Sequence, residues 1–171
     1  MNYIQIDKAS ISNGPGWRVV LWVSGCTLKC QNCHNPEAQD FNAGKQFDEN
    51  AKKFLFEQLD KPYIKGITFS GGHPFEKSNR STIYCLVKEI KEKFPQKDIW
   101  IYTGYTWEEI FESGIREIQR TLYWVDVLVD GQYIEEQRDI TLPFCGSKNQ
   151  RLIDVQETFK QNQIILYNNT K

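Results

Sequence analysis

The sequence predicts an α/β fold whose parallel sheet forms a partial, laterally open (βα) barrel. Short apolar segments rich in β-branched and aromatic residues alternate with stretches of helical periodicity, a pattern typical of βαβ units. The chain has 171 residues, of which 40% are hydrophobic, so it can bury the core of one domain. Because a closed barrel of eight βα units takes about 250 residues, we expect a single domain over residues 1–171 with an open side.

The individual elements follow from local patterns. Predicted strands cover residues 17–24, 64–70, 98–103, 123–129 and 162–167. A helix that begins at Asp48 and a second helix near residues 80–94 each carry an apolar face, formed by Ala51, Phe54, Leu55 and Leu59 in the first and by Ile83, Val87, Ile90 and Phe94 in the second. Thr106 and Glu109 have the spacing of a capping box and predict a further short helix with Trp107, Ile110 and Phe111 on its apolar side.

Charge and composition exclude some functions. The chain has 21 Lys and Arg against 22 Asp and Glu, a net charge of -1, so no global basic field attracts a nucleic-acid backbone. The first ten residues have no basic segment followed by an apolar one, and the apolar run "VVLWV" is five residues long, far below the roughly 20 that span a bilayer. We therefore expect a cytoplasmic protein that binds neither nucleic acid nor membrane.

Three of the five cysteines lie close together. Cys26, Cys30 and Cys33 fall within eight residues directly after the first predicted strand. An odd number of cysteines without an export signal favours reduced thiols that bind metal or react. Three thiolates can hold three irons of a 4Fe-4S cube and leave the fourth iron open to a substrate. A zinc site is the alternative, completed by His34, His73 or Cys145, although zinc knuckles usually pair one C-x2-C with another.

The two remaining cysteines are expected to be structural. Cys85 falls in the predicted helix near residues 80–94 and reads as a small buried hydrophobe, and Cys145 reads as a packing residue of the C-terminal segment.

Small and polar residues follow the later predicted strands. The stretches "SGGHP" (70–74), "TGY" (103–105) and "DGQY" (130–133) each come at a strand end, and the carboxyl ends of parallel strands form the edge where ligands bind. Gly71 and Gly72 would let the backbone approach a ligand closely. A plain Gly-Gly-x-Pro turn is the alternative interpretation of that stretch.

Cys26-x3-Cys30-x2-Cys33 after a first strand resembles the signature of the radical S-adenosylmethionine enzymes. Longer stretches are similar to a narrower family, the activating proteins of anaerobic (class III) ribonucleoside-triphosphate reductase: "NGPGWRVVLWVSGCTLKCQNCHN", "KDIWIYTGYTWEEI", "VDVLVDGQY" and "FCGSKNQRLIDV". The resemblance covers nearly the whole chain in order and implies a barrel of the radical S-adenosylmethionine type.

The resemblance also implies a chemistry. Cys26, Cys30 and Cys33 would ligate a 4Fe-4S cluster, one per chain, and the fourth iron would chelate the methionine part of S-adenosylmethionine. Reductive cleavage would give methionine and a 5'-deoxyadenosyl radical, which takes a hydrogen from a glycine of the large reductase subunit and leaves a glycyl radical there. No side chain beyond the cluster and S-adenosylmethionine is implied to be catalytic, since the cofactor carries the hard step.

Contacts to S-adenosylmethionine are implied for residues of all four loops. They are Asn32, Cys33, His34, Gly71, Gly72, His73, Thr103 and Asp130. Two of them depart from the general pattern. Asn32 stands where an aromatic residue is usual, and His73 stands where an acidic residue is usual.

The implied partners are the large subunit of anaerobic ribonucleoside-triphosphate reductase and a reduced flavodoxin- or ferredoxin-like electron donor. The open side of the barrel would admit the partner's glycine. Two rivals stay open: another small radical S-adenosylmethionine enzyme that acts on a small molecule, and a zinc-binding interaction module.

Overall fold

Seven strands form one sheet in the computed structural model, which describes residues 1–168. In chain order they are β1 (Asn2–Ser10), β2 (Trp17–Val23), β3 (Lys45–Gln46), β4 (Ile64–Gly71), β5 (Asp98–Tyr102), β6 (Val127–Asp130) and β7 (Arg151–Asp154). The helices are α1 (Glu49–Leu59), α2 (Arg80–Lys93), α3 (Trp107–Glu112), α4 (Arg116–Leu122) and α5 (Val155–Gln161). Two short 3-10 helices cover Pro36–Gln39 and Glu135–Gln137.

The sheet is parallel only in its centre. The strand order is β3-β1-β2-β4-β5-β6-β7, and β2, β4, β5 and β6 pair in parallel. The outer pairs β1 with β2, β1 with β3 and β6 with β7 are antiparallel. The α/β class is thus confirmed, whereas the expectation of a wholly parallel sheet is wrong at both edges. The connection between β1 and β2 is too short for a parallel crossover and allows only a hairpin.

The two faces of the sheet pack against different parts of the chain. Alternate residues of the central strands, among them Val19, Leu21, Ile67 and Ile101, pack with the helices into the main apolar core. The opposite face, which we call the inner face, carries a smaller buried cluster of Trp100, Val127 and Val129 against which Phe144, Cys145 and Tyr167 pack. The helix-free inner face is therefore the side on which a cavity can form.

The predicted helix starts are confirmed. The Asp48 side chain accepts a hydrogen bond from the Ala51 amide at 2.8 Å and caps α1. Thr106 and Glu109 form the full capping box at the start of α3. In α2 the predicted face of Ile83, Val87 and Ile90 is buried, while Cys85 is exposed on the other side. The expectation of a buried Cys85 is therefore wrong.

Two predicted strands are corrected by the structure. The apolar run at 123–129 is split, because α4 ends at Leu122 and a turn follows in which the Val125 amide donates to the Leu122 carbonyl at 3.1 Å. Only Val127–Asp130 pairs as a strand. Residues 162–167 form no strand but a single antiparallel bridge between Leu166 and Ile153. At this bridge the Asp154 amide donates to the Ile165 carbonyl at 2.9 Å, and the Tyr167 amide donates to the Leu152 carbonyl at 2.8 Å.

Arg18 is fully buried on the inner face and joins three strands. Its guanidinium donates to Thr68 Oγ1 and to the Ile67 carbonyl, each at 2.9 Å, and lies 2.5 Å from Asp98 Oδ1. The group also lies 5.2 Å from the centre of the Trp100 ring. This network fixes β2, β4 and β5 against one another at their amino ends.

We expect the substitution Arg18→Met to lower the free energy of unfolding by about 3 kcal/mol, because it leaves the buried partners of the guanidinium without a cation. Denaturant unfolding of the metal-free protein measures the effect. Arg116 is exposed, and its side chain forms no hydrogen bond or ion pair with residues 1–168, so Arg116→Met provides the control. A loss below about 1 kcal/mol in Arg18→Met would mean that water replaces the guanidinium.

Within residues 1–168 the structure contains no helix long and apolar enough to cross a membrane.

Candidate functional site

The loops that follow the four parallel strands meet around one cavity. It has a volume of about 970 Å³, within the range of ligand sites in proteins. Residues of all four loops line it, including Cys26, Cys30, Asn32, Cys33, His34, Gly71, Gly72, His73, Thr103, Gly104 and Gly131. The structure thus brings the three cysteines and the later strand ends to one place, as expected from the edge of a parallel sheet.

The C-terminal segment forms the far wall of this cavity. Phe144 and Cys145 line it from that side, together with Leu142. Tyr102 holds the segment in place because its hydroxyl donates to the Phe144 carbonyl at 2.8 Å. The cavity therefore lies between the inner face of the sheet and the 138–150 segment.

The cysteine loop leaves β2 with a backbone that is fixed at its start. The Gly25 amide donates to the Ala38 carbonyl, and the His73 amide donates to the Gly25 carbonyl, both at 2.8 Å. The buried Asn79 amide group donates to the Ser24 and His73 carbonyls. The end of β2 and the loop after β4 are therefore joined immediately before Cys26.

The three cysteines are free and half-buried. Burial raises the pKa of the Cys26 thiol, and the nearby Glu76 carboxylate adds to the rise. Among the described residues no three His, Cys, Asp or Glu side chains converge on a point where one ion could sit. Three thiolates can each hold one iron of a 4Fe-4S cube, so three thiols on the wall of a shared cavity fit such a cluster.

The glycine pair at the end of β4 allows two strand ends to approach each other closely. Gly71 has a φ of +102°, and a Cβ atom there would lie 2.6 Å from the Val23 carbonyl oxygen. A Cβ atom at Gly72 would lie 2.6 Å from the carbonyl oxygens of both Gly25 and Ala38. Any larger residue would push the cysteine loop away from β4.

His73 is buried between the loops that follow β4 and β5. Its Nε2 atom lies 2.8 Å from Thr103 Oγ1, and its ring packs edge-on against Tyr105 with centres 4.6 Å apart. Its Nδ1 atom has no hydrogen-bond partner in the described part of the chain and lies 3.6 Å from Glu76 Oε1. With both ring nitrogens facing these groups, His73 is poorly placed to complete a zinc site.

Glu76 belongs to the site although sequence reasoning did not select it. Its side chain is almost fully buried, and Oε1 accepts hydrogen bonds from the Thr27 amide at 2.8 Å and from the Thr27 hydroxyl at 2.7 Å. The facing His73 ring and these two bonds lower the pKa of Glu76 from 4.5 to about 2. Glu76 lies three residues after His73 in a predicted loop. A single glutamate in such a loop has no sequence pattern that would identify it as a site residue.

The lowered pKa of Glu76 predicts an acid-sensitive contribution to stability. A carboxyl whose pKa is lower in the folded state stabilises the fold above its unfolded pKa and loses that effect as the pH falls. For Glu76 the window runs from 4.5 down to about 2, and the contribution is up to about 3 kcal/mol.

Denaturant unfolding of the metal-free protein at several pH values measures this contribution. We expect Glu76→Gln to be less stable than the wild type at pH 7 and to lose less stability across the acid window. Glu108, whose pKa Arg151 also lowers to about 2, is present in both proteins and cancels in the comparison. Parallel curves for the two proteins would contradict the assignment.

The other residues predicted to contact S-adenosylmethionine do not all line the cavity. Thr103 is buried and lines the cavity, whereas Asn32 and His34 line it from exposed positions of the cysteine loop. Asp130 is fully buried but lies outside the cavity wall. Its carboxylate accepts hydrogen bonds from Arg151 and from the Trp107 amide. These contacts give the predicted cofactor role of Asp130 no support, and its neighbour Gly131 lines the cavity instead.

Cys145 packs into the inner-face cluster. It contacts the group formed by Trp100, Val127 and Val129. Burial, together with the nearby Asp130 carboxylate, raises the pKa of the Cys145 thiol to about 11. A protonated thiol in this position agrees with the expectation that Cys145 is a packing residue.

Comparisons with known proteins identify relatives over most of the chain. Residues 12–153 match a family model described as a 4Fe-4S single cluster domain. A protein of Enterobacteria phage T4 named "Anaerobic ribonucleoside-triphosphate reductase-activating protein" is 42% identical over 89% of this chain and 93% of its own length. Proteins with the same name from Haemophilus influenzae and Escherichia coli K12 are 39% and 36% identical, each over 88% of this chain and 96% of their own length.

Proposed function

Because the chain belongs to the 4Fe-4S single cluster domain family and to the family of anaerobic ribonucleoside-triphosphate reductase-activating proteins, we propose that it activates an anaerobic ribonucleoside-triphosphate reductase. It is an iron-sulfur activating enzyme. The observation that carries the proposal is the shared cavity of Cys26, Cys30 and Cys33 with the Gly71–Gly72 end of β4. A cluster on the cysteines and a ligand on the glycine backbone would touch each other there.

We assign the three thiolates of Cys26, Cys30 and Cys33 to the cluster. When bound, the cluster supplies the electron that splits S-adenosylmethionine into methionine and a 5'-deoxyadenosyl radical. Three protein ligands for four irons leave one iron without a protein ligand, and the cavity leaves space beside the cysteines for the cofactor. The role of the chain is to orient the two groups and to keep water from them.

The backbone at the end of β4 is the proposed binding place for the methionine part of S-adenosylmethionine. Gly71 and Gly72 approach β2 and the cysteine loop closely and also line the cavity, where their carbonyl groups would accept from the ligand's ammonium group. Thr103 and His73 would border the same ligand. They are hydrogen-bonded to each other, with 2.8 Å between Thr103 Oγ1 and His73 Nε2. Asn32 and His34 would contact the ligand from the cysteine loop, and Gly131 would border it at the end of β6. The contact of Asp130 with the cofactor stays a prediction.

The substrate of the proposed reaction is a glycine of the large reductase subunit. The proposal includes a partial barrel of the radical S-adenosylmethionine type, for which the four parallel strands at the centre of the sheet would supply the wall. A segment of the partner would enter the cavity at the open side of such a barrel and present its glycine Cα–H bond. Hydrogen transfer to the radical carbon would yield 5'-deoxyadenosine and a glycyl radical.

The remaining expectations stay predictions. They are a single domain over residues 1–171, a cytoplasmic location and a reduced flavodoxin- or ferredoxin-like electron donor. The rival function, action on a small molecule, is separated from the proposal by the experiment below.

The test is to mix the anaerobically reconstituted protein with a reductant, S-adenosylmethionine and the large reductase subunit, and to record the electron paramagnetic resonance spectrum. We expect a glycyl-radical doublet that requires both proteins. Release of 5'-deoxyadenosine without the doublet would favour a small-molecule substrate. A protein that takes up zinc but neither iron nor sulfide would overturn the proposal.

A further inference from the structure

The three residues between the first two cysteines, Thr27, Leu28 and Lys29, are held by side chains from outside the cysteine loop. We call them the intervening segment. On one side the Glu76 carboxylate accepts from both the amide and the hydroxyl of Thr27, at 2.8 and 2.7 Å. Glu76 is itself fixed, because its amide donates to the His73 carbonyl at 3.1 Å and its carbonyl accepts from the Asn79 amide at 2.8 Å. A rigid turn thus presents the carboxylate to the segment.

A second side chain holds the segment from the loop after β6. The Gln132 amide group donates to the Leu28 carbonyl at 3.1 Å. Gln132 is held in turn by the Asn149 amide group, which donates to the Gln132 carbonyl at 2.7 Å. The Leu28 side chain packs over Gly104, where an added Cβ atom would lie 2.1 Å from Leu28 Cδ1.

The backbone of this loop needs such support. Lys29 has a φ of +49° and Asn32 a φ of +51°, in the left-handed region that residues other than glycine enter at a cost. Strained conformations of this kind persist only where surrounding contacts fix them. Both residues lie between cysteines. The backbone strain is therefore located in the part of the loop that sets the directions of the thiols.

We propose that Glu76 and Gln132 are positioning residues that preset the intervening segment, and with it the directions of Cys26 and Cys30, before a cluster is bound. The inference rests on the proposed function only for its purpose, which is to prepare the loop for a cluster. The two contacts themselves exist in the metal-free chain. Neither residue is one of the cysteines, and each acts on them through the backbone. Outer partners of this kind typically change metal affinity by about 10- to 100-fold.

The first test is hydrogen exchange of the Thr27 amide in the metal-free protein, measured for wild type, Glu76→Ala and Glu76→Gln. We expect exchange in Glu76→Ala to be roughly three- to tenfold faster, because the bond to the carboxylate is lost. Glu76→Gln keeps an acceptor oxygen and should recover part of the protection. The control Glu57→Gln changes an exposed glutamate on α1 that faces away from the site.

The second test is retention of iron by the reconstituted proteins in the presence of a chelator. Glu76→Ala and Gln132→Leu should lose iron about 10-fold faster or more, and Glu57→Gln should match the wild type. The midpoint potential of the cluster gives a third readout, since removing the Glu76 charge in Glu76→Gln should make the cluster easier to reduce.

Unchanged Thr27 exchange and unchanged iron retention in Glu76→Ala would overturn the inference. If Glu76→Ala does not fold, two milder variants are compared with the wild type in the same two measurements. They are Thr27→Val, which removes only the hydrogen bond of the hydroxyl, and Glu76→Gln. If the wild-type protein itself binds no iron, the proposed function fails, while the exchange rates still decide whether Glu76 presets the segment.

Discussion

Alanine in place of Cys26, Cys30 or Cys33 is expected to abolish cleavage of S-adenosylmethionine in each of the three single variants. Each iron of the cube that the protein holds depends on one thiolate, so each single variant leaves one of these irons without its cysteine ligand. Loss of outer partners alone costs up to about 100-fold, so we expect losses greater than that here. Iron and sulfide per chain, together with 5'-deoxyadenosine release, measure the effect.

The two other cysteines are matched controls for this experiment. Cys85→Ala changes an exposed position on α2, and Cys145→Ala removes one thiol from the inner-face cluster around Trp100. Both variants should keep the cluster, with at most a modest loss of stability for Cys145→Ala. If Cys145→Ala were colourless after reconstitution, the assignment of three protein ligands would be wrong.

The second large effect is expected from Gly72→Ala. The added methyl group would lie 2.6 Å from the carbonyl oxygens of Gly25 and Ala38, and 3.0 Å from the Gly25 nitrogen. Backbone atoms cannot rotate aside as side chains can, so the strand end must move. Gly25 directly precedes Cys26, and a displacement of about 1 Å at a reaction site can lower a rate about 100-fold. We expect a fall of that size in 5'-deoxyadenosine release.

Gly114→Ala separates this effect from the general cost of replacing a glycine. Gly114 has a φ of +64° and no atom within 4 Å of an added Cβ, so the change strains the backbone without pushing a neighbour. It should lower stability by about 1 kcal/mol and leave cleavage intact. Equal activity of Gly72→Ala and Gly114→Ala would show that the strand end tolerates the methyl group.

The predictable part of the fold is the part with strong local signals. Asp48 and the Thr106–Glu109 pair mark helix starts through hydrogen bonds made within a few residues, and β2 contains the apolar run Val19–Val23. The first strand was not predicted because its side chains are half-buried or exposed and its sequence is largely polar. α5 could have been found, since Asp154 and Glu157 have cap spacing and the Asp154 side chain accepts from the Glu157 amide.

The candidate site likewise contains residues that the sequence identifies and residues that only the structure reveals. The cysteines and Gly71–Gly72 were selected because their residue types and their positions after strands carry a chemical meaning. Glu76 and Gln132 were not selected, because each acts on a residue far away in the sequence, Thr27 for Glu76 and Leu28 for Gln132. Contacts between loops depend on how the strands are ordered in the sheet, which no local pattern encodes. The ion pair of Asp130 could not be predicted for the same reason, since its partner Arg151 comes from a strand that was not predicted.

The exposed thiol of Cys85 lies on the opposite side of the sheet from the three thiols of the cysteine cavity. It is on α2, on the helix-covered side, whereas the cavity lies on the inner face. A spectroscopic label attached to Cys85 would therefore report from outside the cavity, with the sheet between the label and the site.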